Sequence, residues 1–474
     1  MSENNKDKTH QIPNPQAAVK RPGLNTRRHV RALAAGYKAL YYCSGIFIAN
    51  HTPERIEADV FAGISPLWEK LFPEMPADID EKNKTVAVTF LSDMPPRIAA
   101  WRSGLGSTLL PIGASMDAVK HLPRFPENTV LPDTDDLPWP RGDKDAMGVL
   151  PAAQQEALDQ LVKNAFDEAL YGGKTWGVII LKNGKIVGER YAKDLGYDMH
   201  TPHRTNSAAK SFAVSAIGAA VEQGLLDIRQ KGVLSEWRQH GDPRGEITLN
   251  DLLHMCSGLY TERSGDPQQE MYYGGAAAAD KALRSSFEYL PGKRWLYAGS
   301  DTICAVRALR EVLADDARYH PFPYKEIFWK LGMTRTTVET DWKGDFLMSG
   351  QAWSTARDCA RFGLLYLNDG VWNGERILPE GWTGYVATPG PDQPDVPDGR
   401  GYGAQFWLYG PKQGLPEGVY AADGARGQWI MMIPSANIVI VRRGHDGFST
   451  EAGHEQQGAF QLARFAGDVL DLLK

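Results

Sequence analysis

Apolar residues recur three and four positions apart at Val214, Ile217, Val221 and Leu225, a spacing that puts them on one stripe of a helix facing a core. Asn206 stands where an N-cap belongs, which places Ser207 in the first turn. Helical spacing also runs through 152–170 and, by way of Val30, Leu33, Tyr37 and Leu40, through 26–42 into Cys43-Ser44-Gly45-Ile46-Phe47-Ile48. Strand patterns gather toward the two ends. Segments 176–181 and 186–191 flank Asn183-Gly184, the signature of a two-residue hairpin turn. Segments 403–408, 428–433 and 437–443 also read as strands, and a last helix is expected over about 453–473. Strands at both ends of a mostly helical block at 207–382 predict a mixed α/β (α+β) fold, with one sheet assembled from distant segments and the helical domain inserted. The seam between the two halves is the natural place for a site, and Ser207 lies where the chain crosses it.

The pattern also divides the chain. Residues 1–28 are polar, rich in Asn, Lys and Pro, and read as a loose tail. Residues 29–150 form an accessory segment with strands at 85–91 and 98–102 and a turn at Gly104-Leu105-Gly106. It ends in a linker lying over the surface, which carries Pro126, Pro132, Pro138 and Pro140. The main domain is expected at 151–474, with a helical subdomain over about 205–385.

Composition narrows the classes without adding a function. The 474 residues are 42% hydrophobic and 23% charged, enough for two or three cores in an ordinary globular chain. A net charge of −6 leaves no basic excess to neutralise phosphates, so nucleic acid and membrane surfaces are not expected partners. Cys43, Cys256, Cys304 and Cys359 lie far apart, without metal-ligand spacing, and read as buried thiols. The N-terminal residues lack the apolar core of a signal peptide, and 32–49 is interrupted by Lys38. The expected compartment is the cytoplasm, or the periplasm if a leader has been removed. The oligomeric state stays open, a homodimer being one option.

Ser207-x-x-Lys210 is the first candidate chemistry. Residues three apart share a helix face, so the lysine reaches the hydroxyl. A serine hydroxyl becomes a useful nucleophile when a neighbour takes its proton, and a lysine does so only when burial or another cation lowers its pKa from about 10.4. Unpaired backbone NH groups in a first helical turn also favour developing negative charge. The spacing alone is weak, since a chain this long contains about one such pair by accident.

Tyr297-Ala298-Gly299-Ser300-Asp301 precedes a helix at 301–313. Its tyrosine is either an ordinary half-buried aromatic or a phenol that moves protons beside Lys210. Asp423-Gly424-Ala425-Arg426-Gly427-Gln428-Trp429 precedes a strand. It is either a glycine-rich turn or a place where backbone approaches substrate and a strand-edge NH joins that of Ser207 as an oxyanion hole. Other patterns fail. No Gly-x-Ser-x-Gly elbow occurs, and His454-Glu455-Gln456-Gln457-Gly458 lacks the second histidine of a zinc protease.

Taken jointly and in this order, Ser207-x-x-Lys210, Tyr297 and the turn at 424–428 resemble the serine β-lactamase and penicillin-binding-protein superfamily, and within it the class C-like esterases and 6-aminohexanoate-dimer hydrolases. Residues 247–259, 354–363 and Gly401-Tyr402-Gly403-Ala404-Gln405-Phe406-Trp407 extend the resemblance over about 152–474. Cys43-Ser44-Gly45 and Gly104-Leu105-Gly106 look like the N-terminal extension some of these hydrolases carry. The resemblance implies a β-lactamase-like fold, an antiparallel sheet flanked by helices with an inserted all-helical domain. It implies Ser207 as nucleophile, Lys210 as proton acceptor, Tyr297 as general acid/base, and the backbone NH groups of Ser207 and Ala425 as oxyanion donors. No metal or organic cofactor is implied.

Two departures matter. Gly299 stands where the family often has Asn, so a polar contact is either missing or supplied by Asp301. Ala422-Asp423 replaces the family's Lys-Thr, which removes a cation for a β-lactam carboxylate, with Arg426 as a substitute. Both changes favour neutral small-molecule esters or amides. Tyr260, Gly424 and Arg426 are the candidate substrate contacts, Tyr260 being otherwise a plain loop aromatic. The alternatives are a peptidase or D-amino-acid amidase, and a catalytically silent ligand-binding relative.

Overall fold

The computed structural model describes residues 24–126, 129–261, 268–447 and 459–474. Its centre is a seven-stranded antiparallel sheet. The strands lie in the order Gly401–Tyr402, Trp407–Tyr409, Val419–Gly424, Gln428–Ile433, Ile438–His445, Lys174–Lys182 and Lys185–Tyr191. The early hairpin thus joins the late strands through the pairing of Ile438–His445 with Lys174–Lys182, as the separation of the strand patterns required.

Alternation along the strands divides the core in two. Ile179, Leu181, Ile430, Met432, Val439 and Val441 face the helical block, and the intervening Val178, Ile180, Met431, Ile433, Ile438 and Ile440 face the other way. Helices Ala152–Asn164 and Leu462–Leu472 cover that second face. The beginning of the expected last helix, 453–458, and with it the His454 to Gly458 stretch lie outside the described residues.

The helix after Ser207, Ala209–Glu222, differs from its expected form. Every residue from Ala209 to Ala220 is buried, so it is the central rod of the helical block rather than a helix with one buried stripe. Alanine, glycine and serine at 213, 215, 216, 218, 219 and 220 allow this close packing, and Trp382 sits within 2.7 Å of where a Cβ on Gly218 would stand.

The accessory segment has its own core. Helix Leu24–Phe47 continues through Cys43-Ser44-Gly45, and its residues from Leu24 onward belong to the helix rather than to the tail. It packs on a four-stranded antiparallel sheet, Ala77–Asp80, Thr85–Val88, Arg97–Arg102 and Gly106–Leu109. Tyr273 and Trp353 of the main domain complete that core. The proline-rich linker is clamped rather than merely laid over the surface. Arg335 pairs with Asp135 at 2.5 Å and Arg361 with Asp143 at 2.6 Å, and Trp139 is buried. Among the described residues no helix is long and apolar enough to cross a membrane.

Candidate active site

A short three-stranded sheet sets the site's floor. His203–Arg204 and Thr337–Val338 flank Ala352–Ser354, and the Thr205 amide donates to the Ala352 carbonyl at 2.8 Å. This pairing brings Ser349, just ahead of the middle strand, beneath the turn that carries Ser207. Residues Asn206–Ala208 form a single 3₁₀ turn before the long helix. Asn206 takes a left-handed φ of 48°, which asparagine tolerates better than most residues. Its side chain does not cap the helix. It donates to the Ala425 carbonyl at 2.7 Å and so ties the Ser207 turn to the turn after the sheet strand Val419–Gly424.

Gly424 makes that approach possible. A Cβ there would stand 2.1 Å from the Thr205 carbonyl oxygen and 3.1 Å from the Ala208 nitrogen, so glycine alone fits. The two backbone segments expected to supply oxyanion donors, at Ser207 and Ala425, therefore lie side by side.

Lys210 is buried, with its Nζ 3.3 Å from Ser207 Oγ. It also donates to the Ser349 carbonyl and lies 4.8 Å from the centre of the Tyr297 ring. Burial lowers its pKa from 10.5 to about 7, because the uncharged amine loses far less hydration than the ammonium. Burial acts oppositely on Tyr297, holding the phenol well above its ordinary value, while the Ser207 hydroxyl bonded to it pulls the other way. Near neutral pH the pair is thus an amine able to accept a proton and a phenol that retains one. The Tyr297 ring stacks on Trp407 with centroids 5.8 Å apart and meets Tyr402 edge-on at 5.9 Å, which fixes its direction.

Other expected contacts are distributed differently. Arg426 turns away toward the accessory segment, donating to the Val60 carbonyl at 2.9 Å and to that of Ala62, and touching His445. Its guanidinium anchors the accessory layer and does not stand in for the cation lost at Ala422-Asp423. Asp423 is instead bound by Arg400 Nη1 at 2.6 Å and Trp429 Nε1 at 2.8 Å, and the same Arg400 pairs with Asp398 at 2.5 Å, so two carboxylates compensate the guanidinium. Asp301 is buried and accepts from Ser257 Oγ at 2.8 Å, and burial raises its pKa to about 7. It does not fill the place left by Gly299. Tyr260 is 39% exposed, its amide donating to the Ser286 carbonyl at 2.8 Å. Among the described residues no three His, Cys, Asp or Glu side chains gather as a metal-binding group.

Sequence reasoning missed Ser349, whose carbonyl receives Lys210, and the cross-link from Asn206. Neither carried a local signal, since each partner lies more than a hundred residues away.

The sequence profile of the beta-lactamase family matches residues 159–453. The chain belongs to the beta-lactamase family, a family of hydrolases. It is 24% identical over 285 residues to the 6-aminohexanoate-dimer hydrolase of Paenarthrobacter ureafaciens, covering 56% of this chain and 71% of that protein. Among solved structures, a putative 6-aminohexanoate-dimer hydrolase from Bacillus anthracis matches with a TM-score of 0.52 at 22% identity, over 75% of this chain and 88% of the other. A family VIII carboxylesterase matches with a TM-score of 0.53 at 14% identity, over 69% and 99%. At these identities the structural matches establish the beta-lactamase-like fold. The accessory segment and the proline-rich linker precede the matched family region.

Proposed function

We propose that this chain is a serine hydrolase that cleaves carboxylic ester or amide bonds of small molecules through a covalent acyl-enzyme on Ser207. The observation that carries the reading is the buried Lys210 amine 3.3 Å from Ser207 Oγ, with its pKa lowered to about 7. Lys210 takes the Ser207 proton as Oγ bonds the acyl carbon. Tyr297 passes its phenolic proton to the departing alkoxide or amine and recovers one from the Lys210 ammonium. Water then attacks the acyl carbon and gives a proton to Lys210. The acyl–Oγ bond breaks, and Ser207 regains its hydrogen from the lysine. The NH groups of Ser207 and Ala425 hold the oxyanion in both halves. This chemistry asks for no cofactor.

Arg400 is already compensated by Asp423 and Asp398, so no free cation stands where the family carries its lysine, which supports uncharged substrates over β-lactam carboxylates. The relative named for hydrolysis of the 6-aminohexanoate dimer supports amides beside esters. The test mixes the protein with p-nitrophenyl acetate and p-nitrophenyl butyrate, follows product release and maps the trapped acyl group by mass spectrometry. A burst with the label on Ser207, lost in Ser207→Ala, is the expected result. Folded protein with neither burst nor label would exclude the acyl-enzyme and leave a ligand-binding relative.

A further inference from the structure

Gly299 is the third residue of Tyr297-Ala298-Gly299 and opens the helix Gly299–Leu313. The volume its missing side chain would fill is occupied. A Cβ on Gly299 would stand 2.7 Å from Tyr272 Oη and 3.7 Å from Ser349 Cβ. Tyr272 comes from a different element, the short helix Gln268–Tyr273, and its hydroxyl bonds the Ser349 hydroxyl. The carbonyl of the same Ser349 accepts from Lys210. Three contacts thus run in series from Tyr272 through Ser349 and Lys210 to Ser207.

The Tyr272 ring packs with Tyr273 and the neighbouring core, a task a phenylalanine would perform equally. Its hydroxyl needs another explanation, since burying a hydroxyl is costly unless it is bonded. Burial raises the phenol's pKa and the nearby Tyr273 phenol adds to that, with the Tyr297 phenol also within electrostatic reach. Together these outweigh the Ser349 hydrogen bond and the Arg204 guanidinium that pull it down, so the group stays a neutral hydroxyl.

We infer that Tyr272 is a positioning residue whose hydroxyl supplies, from another helix, the polar group that Gly299 omits, holding Ser349 so that its carbonyl orients Lys210 toward Ser207. The inference rests on the hydrolase reading above. Glycine at 299 and tyrosine at 272 form one device, because a side chain at 299 and the Tyr272 hydroxyl compete for the same space.

The experiment compares wild type with Tyr272→Phe, Gly299→Ser and the double variant. It reads the rate of Ser207 labelling by a fluorophosphonate from pH 5 to 10, the Lys210 pKa by NMR of labelled lysine, and thermal unfolding. Tyr272→Phe is expected to label at least 10-fold more slowly with the Lys210 pKa displaced, while its melting temperature stays within a few degrees of wild type. Gly299→Ser is expected to be impaired by overlap. The double variant, with a hydroxyl restored from 299, should recover at least 3-fold over Tyr272→Phe. Ser349→Ala breaks the same link independently and should displace the Lys210 pKa as well. Wild-type rate and lysine pKa in Tyr272→Phe, or a double variant no better than Tyr272→Phe, would overturn the inference alone. Absence of label on wild-type Ser207 would overturn the hydrolase reading and this inference with it.

Discussion

The Asn206 side-chain amide donates to the Ala425 carbonyl across 2.7 Å, joining the turn that carries Ser207 to the turn that follows the sheet strand. The bond spans the seam between the helical block and the sheet, and it holds side by side the two backbone segments whose NH groups the proposed reaction uses as oxyanion donors.

Asn206→Asp keeps the shape and the left-handed φ but replaces the donor with a carboxylate facing a carbonyl. The expected outcome is a 10- to 100-fold fall in kcat/KM for p-nitrophenyl butyrate, with ~1–2 kcal/mol lost in urea unfolding. Unchanged kcat/KM would show that the oxyanion donors hold their places without this bond.

Lys210 must be uncharged to accept the Ser207 proton, so kcat/KM should rise with pH through about 7 and flatten above it. Stability follows the same titration with a fixed sign. The folded pKa lies below the unfolded one, so the cost of burying the ammonium is full below about 7 and fades as pH rises toward 10.5. Lys210→Met, inactive, should therefore be more stable than wild type by about 1–2 kcal/mol at pH 6–7 and by less at pH 9–10. Denaturant titrations at the two pH values check this. A variant less stable than wild type at pH 6 would show that the lysine's contacts outweigh its desolvation.

Arg426 serves the accessory layer through the Val60 and Ala62 carbonyls. Arg426→Gln should lower unfolding stability by about 2–3 kcal/mol and speed amide exchange over 57–62. The KM ratio between a neutral and a carboxylate-bearing ester should stay unchanged. A KM that rises for the anionic ester alone would return Arg426 to the substrate site.

The elements that sequence resolved best are those whose signal is local. Asn183-Gly184 predicted a hairpin, and 174–191 is that hairpin. Segments 428–433 and 437–443 emerged as neighbouring strands, while the proposed strand at 403–408 is interrupted at Gln405, whose φ is 64°. The central helix was located, but its complete burial was not visible, because small residues read as neutral in a periodicity count although they permit packing on every side. The proline-rich linker reads only as lying over the surface because its ion pairs reach partners some two hundred residues away.

What the sequence determined by itself is the chemistry that neighbours along the chain can set. The three-residue spacing of Ser207 and Lys210 puts hydroxyl and amine on one face, because residues three apart share a face in a 3₁₀ turn as in an α-helix. Tertiary structure decided whether that pair is useful. Lys210 leaves its ordinary pKa only because helices and sheet exclude water around it, and desolvation depends on the whole fold. Three-dimensional packing likewise sent Arg426 to the accessory carbonyls, brought Asn206 to Ala425, and put the Tyr272 hydroxyl in the space beside Gly299. Each of these is a contact between residues distant in sequence, chosen by which side chain the assembled layers leave room for.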